Sequence, residues 1–209
     1  IGQRGLKGEW DYSDGSKLDY FIDDKYINIL LESLKLNKFN KALKVAWDPG
    51  NGAAGAIIKK LVKLLPGEHT LINSEIDGLF PSHHPDPTDP ENLKEIISLV
   101  RKQELDVGLA FDGDGDRLGV VSSTGRIVWG DQLLAFLSKE VLRNMPNSSI
   151  IADVKASQNL FNQIEKYGGV PVMWKTGHSF IKSKMKEISS PLAGEMSGHI
   201  FFADRYLGY

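Results

Sequence analysis

Asp112, Asp114 and Asp116 stand at every second position of Asp112-Gly113-Asp114-Gly115-Asp116-Arg117, spaced by glycine and preceded by the apolar run Val107-Gly108-Leu109-Ala110-Phe111. Unshielded carboxylates this close repel one another. Two unit charges 4 Å apart cost about 1 kcal/mol in water and about 4 kcal/mol at an effective dielectric of 20. A hard divalent cation removes that cost, and carboxylate oxygens are the ligands that Mg²⁺ and Ca²⁺ prefer. The two glycines give the backbone freedom to bring three side chains together. The plainer alternative is an acidic surface turn, but a strand ordinarily ends in one or two turn residues rather than a regular Asp-Gly repeat. Arg117 adds a guanidinium, which has little use as a metal ligand and suits a bidentate grip on phosphate. Cation and arginine side by side are the equipment of phosphoryl transfer.

Register separates the motifs that compete for this stretch. An EF-hand loop starting at Asp112 needs glycine at its sixth position and glutamate at its twelfth, where Arg117 and Ser123 stand. A haloacid-dehalogenase-type phosphatase also places two aspartates one residue apart after an apolar strand, with the first, here Asp112, as nucleophile. Its usual Thr or Val two residues after the second aspartate is replaced by Asp116, and it stays as an alternative. A second lead lies upstream. Gly50-Asn51-Gly52-Ala53-Ala54-Gly55 matches the dinucleotide fingerprint, with Glu75 and Asp77 about twenty residues on. That reading leaves the aspartate triplet unexplained, so the segment is read as a tight turn that lets the next helix pack closely on a sheet.

The elements that must position these residues read as α/β. Residues 26–36 fit a helix, after a polar and irregular start. Residues 43–47 fit a strand, 54–65 a helix and 69–73 a second strand. Asp89-Pro90-Glu91 is a helix start, aspartate as N-cap and proline at the first helical position, leading to about residue 102. Residues 118–122 and 126–128, joined by Ser123-Thr124-Gly125, make a hairpin. A helix over 131–143 follows and the pattern restarts: strand 149–154, helix 157–167, strand Val170–Trp174, helix 179–188, then short strands at 192–193 and 199–202. Strands alternating with helices predict two consecutive mixed α/β modules, each a sheet sandwiched by helices. The expected division is an extension or linker with a helix over 1–40, a module carrying the acidic loop over 41–128, and a second module over 129–209.

The 209 residues allow ample core; 41% are apolar and 25% charged. A net charge of −2 gives no general affinity for nucleic acid or acidic membranes. No apolar run reaches the length of a membrane span and no signal-peptide pattern opens the chain. The absence of cysteine excludes disulfides and thiolate chemistry and fits a cytoplasmic protein. Ile1 at the start and Tyr209 directly after an apparent strand read as cut ends of a longer polypeptide.

Several segments together resemble the α-D-phosphohexomutase family, the bacterial phosphomannomutase/phosphoglucomutase type above all. They are Asp48-Pro49-Gly50-Asn51-Gly52-Ala53-Ala54-Gly55, Asp77-Gly78-Leu79-Phe80-Pro81-Ser82-His83-His84-Pro85-Asp86-Pro87, the loop from Phe111 to Arg117, Asp153-Val154-Lys155, Lys175-Thr176-Gly177-His178-Ser179 and Gly194-Glu195-Met196-Ser197-Gly198-His199. They occur in family order. The resemblance implies the second domain and most of the third of a four-domain enzyme, with domains I and IV as missing partners of the same polypeptide. The first-domain phosphoserine loop, of Thr-Ala-Ser-His-Asn-Pro type, has no counterpart here. Ser82-His83-His84-Pro85 aligns with a different stretch, and His83 and His84 are read as structural.

The resemblance also implies roles. Asp112, Asp114 and Asp116 would hold Mg²⁺ and Arg117 would contact the transferring phosphoryl group. Glu195 and Ser197 would bind sugar hydroxyls. His199 would contact phosphate or sugar as general acid or base. His178 and Gly177 would offer donors to an anion at a helix start, and Lys155 a further donor. The implied reaction is reversible transfer between O1 and O6 of a hexose phosphate, through a phosphoserine and a hexose 1,6-bisphosphate. Mannose and glucose 1- and 6-phosphates are the implied ligands, and this chain alone is expected to be inactive without the phosphoserine. A non-catalytic sugar-phosphate-binding module is the remaining alternative.

Overall fold

A computed structural model describes residues 2–12, 14–34 and 42–203. Residues 35 and 36 of the helix expected over 26–36, and residues 204–209 of the second module, lie outside that description.

Two sheets organise the chain. The first has strand order β2-β1-β3-β4-β5, from β1 (Leu43–Asp48), β2 (Gly67–Leu71), β3 (Val107–Phe111), β4 (Leu118–Ser122) and β5 (Ile127–Val128). β1 runs parallel to β2 and β3, with Val45 opposite His69 and Val107, whereas β4 and β5 are added antiparallel. The second sheet repeats the plan as β7-β6-β8-β9, from β6 (Ser149–Asp153), β7 (Val170–Trp174), β8 (Leu192–Gly194) and β9 (Ile200–Phe202). β6 is parallel to β7 and β8, and β9 is antiparallel to β8. The two antiparallel corners, β3 to β4 and β8 to β9, therefore occupy equivalent places. They hold the acidic loop and the Glu195–His199 segment.

Both faces of each sheet are covered, because successive strand residues point to opposite sides. In the first module Ala46 packs with Leu93, Ile96 and Val100, at and within α4 (Lys94–Lys102). Val45 and Trp47 face Ile58 of α3 (Ala54–Leu61). In the second module Ile150 and Ala152 meet Leu134 of α5 (Gly130–Asn144) together with Leu160 and Ile164 of α6 (Gln158–Lys166). Ile151 and Ala193 meet Ile181 and Met185 of α7 (His178–Ile188). Burying each of the larger aliphatic side chains among these contributes about 1.5–3 kcal/mol.

The differences from expectation are local. α3 ends at Leu61 rather than 65, since Pro66 disfavours helical backbone at Leu65. β2 starts at Gly67, in register with Leu43, and stops before Asn73, which has φ 49°. Asp89 does cap, accepting from Glu91 N–H at 2.9 Å, but the first turn over Pro90–Leu93 is 3-10 rather than α. The start of the chain holds a short helix α1 (Gly2–Lys7) that its polar composition did not predict, and α2 spans Asp23–Ser33. No helix among the described residues is long and apolar enough to cross a membrane.

Candidate functional site

The acidic loop forms because β3 must reverse into β4 within six residues, and its first aspartate closes the turn. Asp112 is 2% exposed. Its Oδ1 accepts the N–H groups of Gly115 and Arg117, both at 3.0 Å, and its Oδ2 accepts Arg117 Nε at 2.7 Å. Gly115 adopts φ 81° to make the turn. Asp114 and Asp116 are exposed at the rim. One oxygen from each of Asp112, Asp114 and Asp116 lies within 4.8 Å of the others, so the three side chains converge. The electrostatics follow. Repulsion from Asp112 and then Asp116 raises the Asp114 carboxyl above its ordinary range. Burial pushes Asp112 up, but the N–H groups and the charge of Arg117 outweigh it and leave that carboxyl low. A carboxylate penalised mainly by its neighbours' charges is relieved by a cation among them, so this hard-oxygen donor set fits a divalent ion.

Arg117 is held on the protein side of the loop. Beside its bond to Asp112 it donates from Nη1 to Asp86 Oδ1 at 3.1 Å. Asp86, in the proline-rich segment, is a site residue that sequence reasoning did not single out; the resemblance to that segment was its only signal. The upstream glycine loop docks against the same turn. Ala53 N–H donates to Gly113 O at 2.9 Å, and a Cβ on Gly52 would sit 2.7 Å from that oxygen. Gly50 N–H is bound by Asp48 Oδ1, Asn51 N–H by Asn73 O and Gly52 N–H by Pro49 O. The amides that a dinucleotide pyrophosphate would need are thus spent inside the protein. Gly55 lies so close to Ser74 that a Cβ would meet its carbonyl oxygen at 2.4 Å. Close approach of the turn and helix start to the acidic loop and to the segment after β2 is the use of this glycine pattern. Asp48 itself is fully buried and meets His83 Nε2 at 3.0 Å.

The second module brings its own corner to the loop. Gly198, at φ 93°, accepts Leu118 N–H at 3.1 Å, and a Cβ there would lie 2.9 Å from Leu118 O. Beyond this seam His199 reaches back. Its Nε2 lies 3.2 Å from Asp116 Oδ1, and its Nδ1 lies 2.9 Å from Glu195 Oε2 and 2.7 Å from Ser197 Oγ. His178, the first residue of α7, stands with Nε2 3.6 Å from Asp116 Oδ2 and its ring edge-on to His199, centroids 4.2 Å apart. Glu195 is 3% exposed, and its Oε1 accepts Gly177 N–H at 2.5 Å. That helix-start amide therefore serves Glu195 rather than an external anion. Lys155 is exposed, 3.8 Å from the buried carboxylate of Asp153, which also accepts from Thr176 Oγ1 at 3.1 Å. Of the residues singled out from sequence, the three aspartates, Arg117, Gly177, His178, Glu195, Ser197 and His199 form one connected cluster. Lys155 stands at the neighbouring end of β6. Asp112, with both oxygens accepting N–H groups from its own loop, is poorly placed as an attacking nucleophile.

Two consecutive α/β/α modules, with an acidic turn of one facing a carboxylate–histidine turn of the other, define the class of this chain. Comparison with known proteins gives it a family. Residues 24–125 match phosphoglucomutase/phosphomannomutase, alpha/beta/alpha domain II, and residues 129–208 match domain III of the same family. The chain belongs to the phosphoglucomutase/phosphomannomutase family. It is 53% identical over 169 residues to a phosphomannomutase/phosphoglucomutase of Pseudomonas aeruginosa, covering 81% of this chain and 36% of that protein. It is 44% identical over 195 residues to a phosphoglucomutase of Neisseria meningitidis, covering 93% of this chain and 42% of that protein. A crystal structure of a phosphoglucomutase/phosphomannomutase family protein from Burkholderia thailandensis superposes with a TM-score of 0.91 at 42% identity, over 100% of this chain and 45% of that one. The chain spans about two fifths of the length of these relatives.

Proposed function

We propose that this chain is the metal- and sugar-phosphate-binding portion of a phosphomannomutase/phosphoglucomutase, an enzyme that moves a phosphoryl group reversibly between O1 and O6 of a hexose. The observation that carries the reading is the meeting of the acidic cup with His178, Glu195 and His199 across the seam between modules, supported by relatives of that name. Asp112, Asp114 and Asp116 would hold Mg²⁺. Bound there, the cation supplies positive charge where a phosphoryl group passes between oxygens. Arg117 has five N–H donors, of which the bonds to Asp112 and Asp86 use Nε and Nη1. The others would grip the phosphoryl oxygens.

Glu195 and Ser197 would read adjacent sugar hydroxyls. A buried carboxylate discriminates well, because an analogue lacking those hydroxyls strands it unpaired. His199, between Glu195 and Asp116, would take up or release the proton of the attacking or departing hydroxyl. His178 and Lys155 would supply further donors to the bisphosphate, and Gly177 fixes Glu195. Hexose 1- and 6-phosphates and the 1,6-bisphosphate are the proposed ligands; a phosphoserine domain and a closing fourth domain of the same enzyme are the proposed partners. The cytoplasm is the proposed compartment, supported by a chain without cysteine.

Titration of the chain with glucose 1,6-bisphosphate in Mg²⁺, followed by amide NMR, tests this. Shifts are expected at 112–117, 177–178 and 195–199, weakened about tenfold by Glu195→Gln, with no isomerisation by the chain alone. Shifts confined to other surfaces, or turnover without a phosphoserine donor, would sink the reading.

A further inference from the structure

Asp116 belongs to two constellations. One is the all-oxygen cup; the other is Asp116, His178 and His199, whose ligand atoms also lie within 4.8 Å of one another. We propose that this second group is a binding site for a borderline divalent transition metal of the Zn²⁺ class, distinct from the hard-cation cup and joining the two modules. Tetrahedral zinc, with Zn–N of about 2.0–2.1 Å and Zn–O of about 2.0–2.2 Å, places neighbouring ligand atoms about 3.3–3.5 Å apart. Asp116 Oδ1 stands 3.2 Å from His199 Nε2 and its Oδ2 stands 3.6 Å from His178 Nε2, so each imidazole nitrogen has one carboxylate oxygen near that separation. Two imidazole nitrogens and one carboxylate leave a fourth position for water or ligand, the pattern of an open zinc site.

The surroundings of His199 give independent support. Its Nδ1 lies 2.9 Å from Oε2 of Glu195, which is buried. On the other side of the ring, Nε2 lies 3.2 Å from Asp116 Oδ1. Carboxylate–histidine–metal is the arrangement that orients a ligating imidazole and raises its basicity, and Glu195, itself fixed by Gly177 N–H, completes it. Hard Mg²⁺ gains little from imidazole, whereas zinc, cobalt and nickel favour it. Because Asp116 serves both groups, a metal on the histidines withdraws one oxygen from the cup.

The site does not rest on the mutase reading, and Asp114 separates the two, since it belongs only to the cup. The untagged chain is titrated with Zn²⁺ against a chromophoric indicator, and with Co²⁺ as a spectroscopic stand-in. One equivalent is expected, with the intense visible bands of four-coordinate Co²⁺. His178→Ala and His199→Ala should each weaken binding by about tenfold or more, Glu195→Gln by about 10–100-fold, and Asp114→Asn by no more than about twofold. His178 is partly exposed, so its variant decides the matter even where His199→Ala disturbs folding, which circular dichroism reports. Unchanged affinity in His178→Ala, octahedral Co²⁺ spectra, or loss of binding in Asp114→Asn would each overturn the proposal.

Discussion

Replacing His83 by glutamine should remove a pH-dependent part of the stability of the first module. Asp48 at the end of β1 is fully buried, and His83 Nε2 meets its Oδ2 at 3.0 Å while Nδ1 meets His84 O at 2.9 Å. The bond to Asp48, opposed by burial and helped by the His84 carbonyl, pushes the His83 imidazole up to about 9 from an ordinary 6.5. At 1.36 kcal/mol per unit that difference is worth at most about 3 kcal/mol. The sign follows from a raised basic group. The contribution is full below pH 6.5, falls to about 2 kcal/mol at pH 7.5, and is gone once the pH passes through about 9. Urea unfolding of the chain and of His83→Gln, at matched pH between 6 and 10, reads the difference directly. The gap between the two should close by about 2–3 kcal/mol across that range, leaving only the pH-independent loss of a neutral hydrogen bond. A gap that stays constant, or widens as pH rises, would refute the buried ion pair.

Gly198→Ala should cost about 1–3 kcal/mol, because the residue holds φ 93° and its new methyl would press on Leu118 O at 2.9 Å. Amide exchange at Leu118 should rise with it; unchanged exchange would contradict the seam. Arg117→Gln leaves Asp112 buried without its counter-ion and should lower stability by about 2–3 kcal/mol, measured by thermal melting. Part of that loss should return on adding Mg²⁺, and a variant as stable as its parent would dismiss the pairing. Ile150→Ala, at a side chain with no exposure on the interior strand β6, should cost about 2–5 kcal/mol by urea unfolding.

How far the molecule could be read in advance differs from part to part. The strand ending at Phe111 and its acidic turn were legible, since an apolar run followed by a charge repeat is local information. The repeated architecture was legible for the same reason, through the restart of strand and helix periods after residue 130. Helix and strand ends around 61–73 were not, because Leu64 and Leu65 continue the apolar rhythm while Pro66 and the register against β1 decide the boundary. The buried polar pairs were least accessible. Asp48 and His83 are 35 residues apart, and Asp86 and Arg117 are 31 apart, so only the folded sheet brings them together. The same holds for Asp116 and His199, separated by 83 residues and joined across two modules. Asp116 and Arg117 stand out by local spacing and His199 by resemblance to a family, but the mutual contacts are a property of tertiary structure.

Occupancy of the three-aspartate cup is the point on which the rest turns, and manganese serves as a paramagnetic substitute for magnesium because it shares a liking for carboxylate oxygen. Electron paramagnetic resonance of Mn²⁺ titrated into the chain should show one bound ion, displaced by Mg²⁺, largely lost in Asp114→Asn and retained in His178→Ala. A bound signal of undiminished strength in Asp114→Asn would contradict the account.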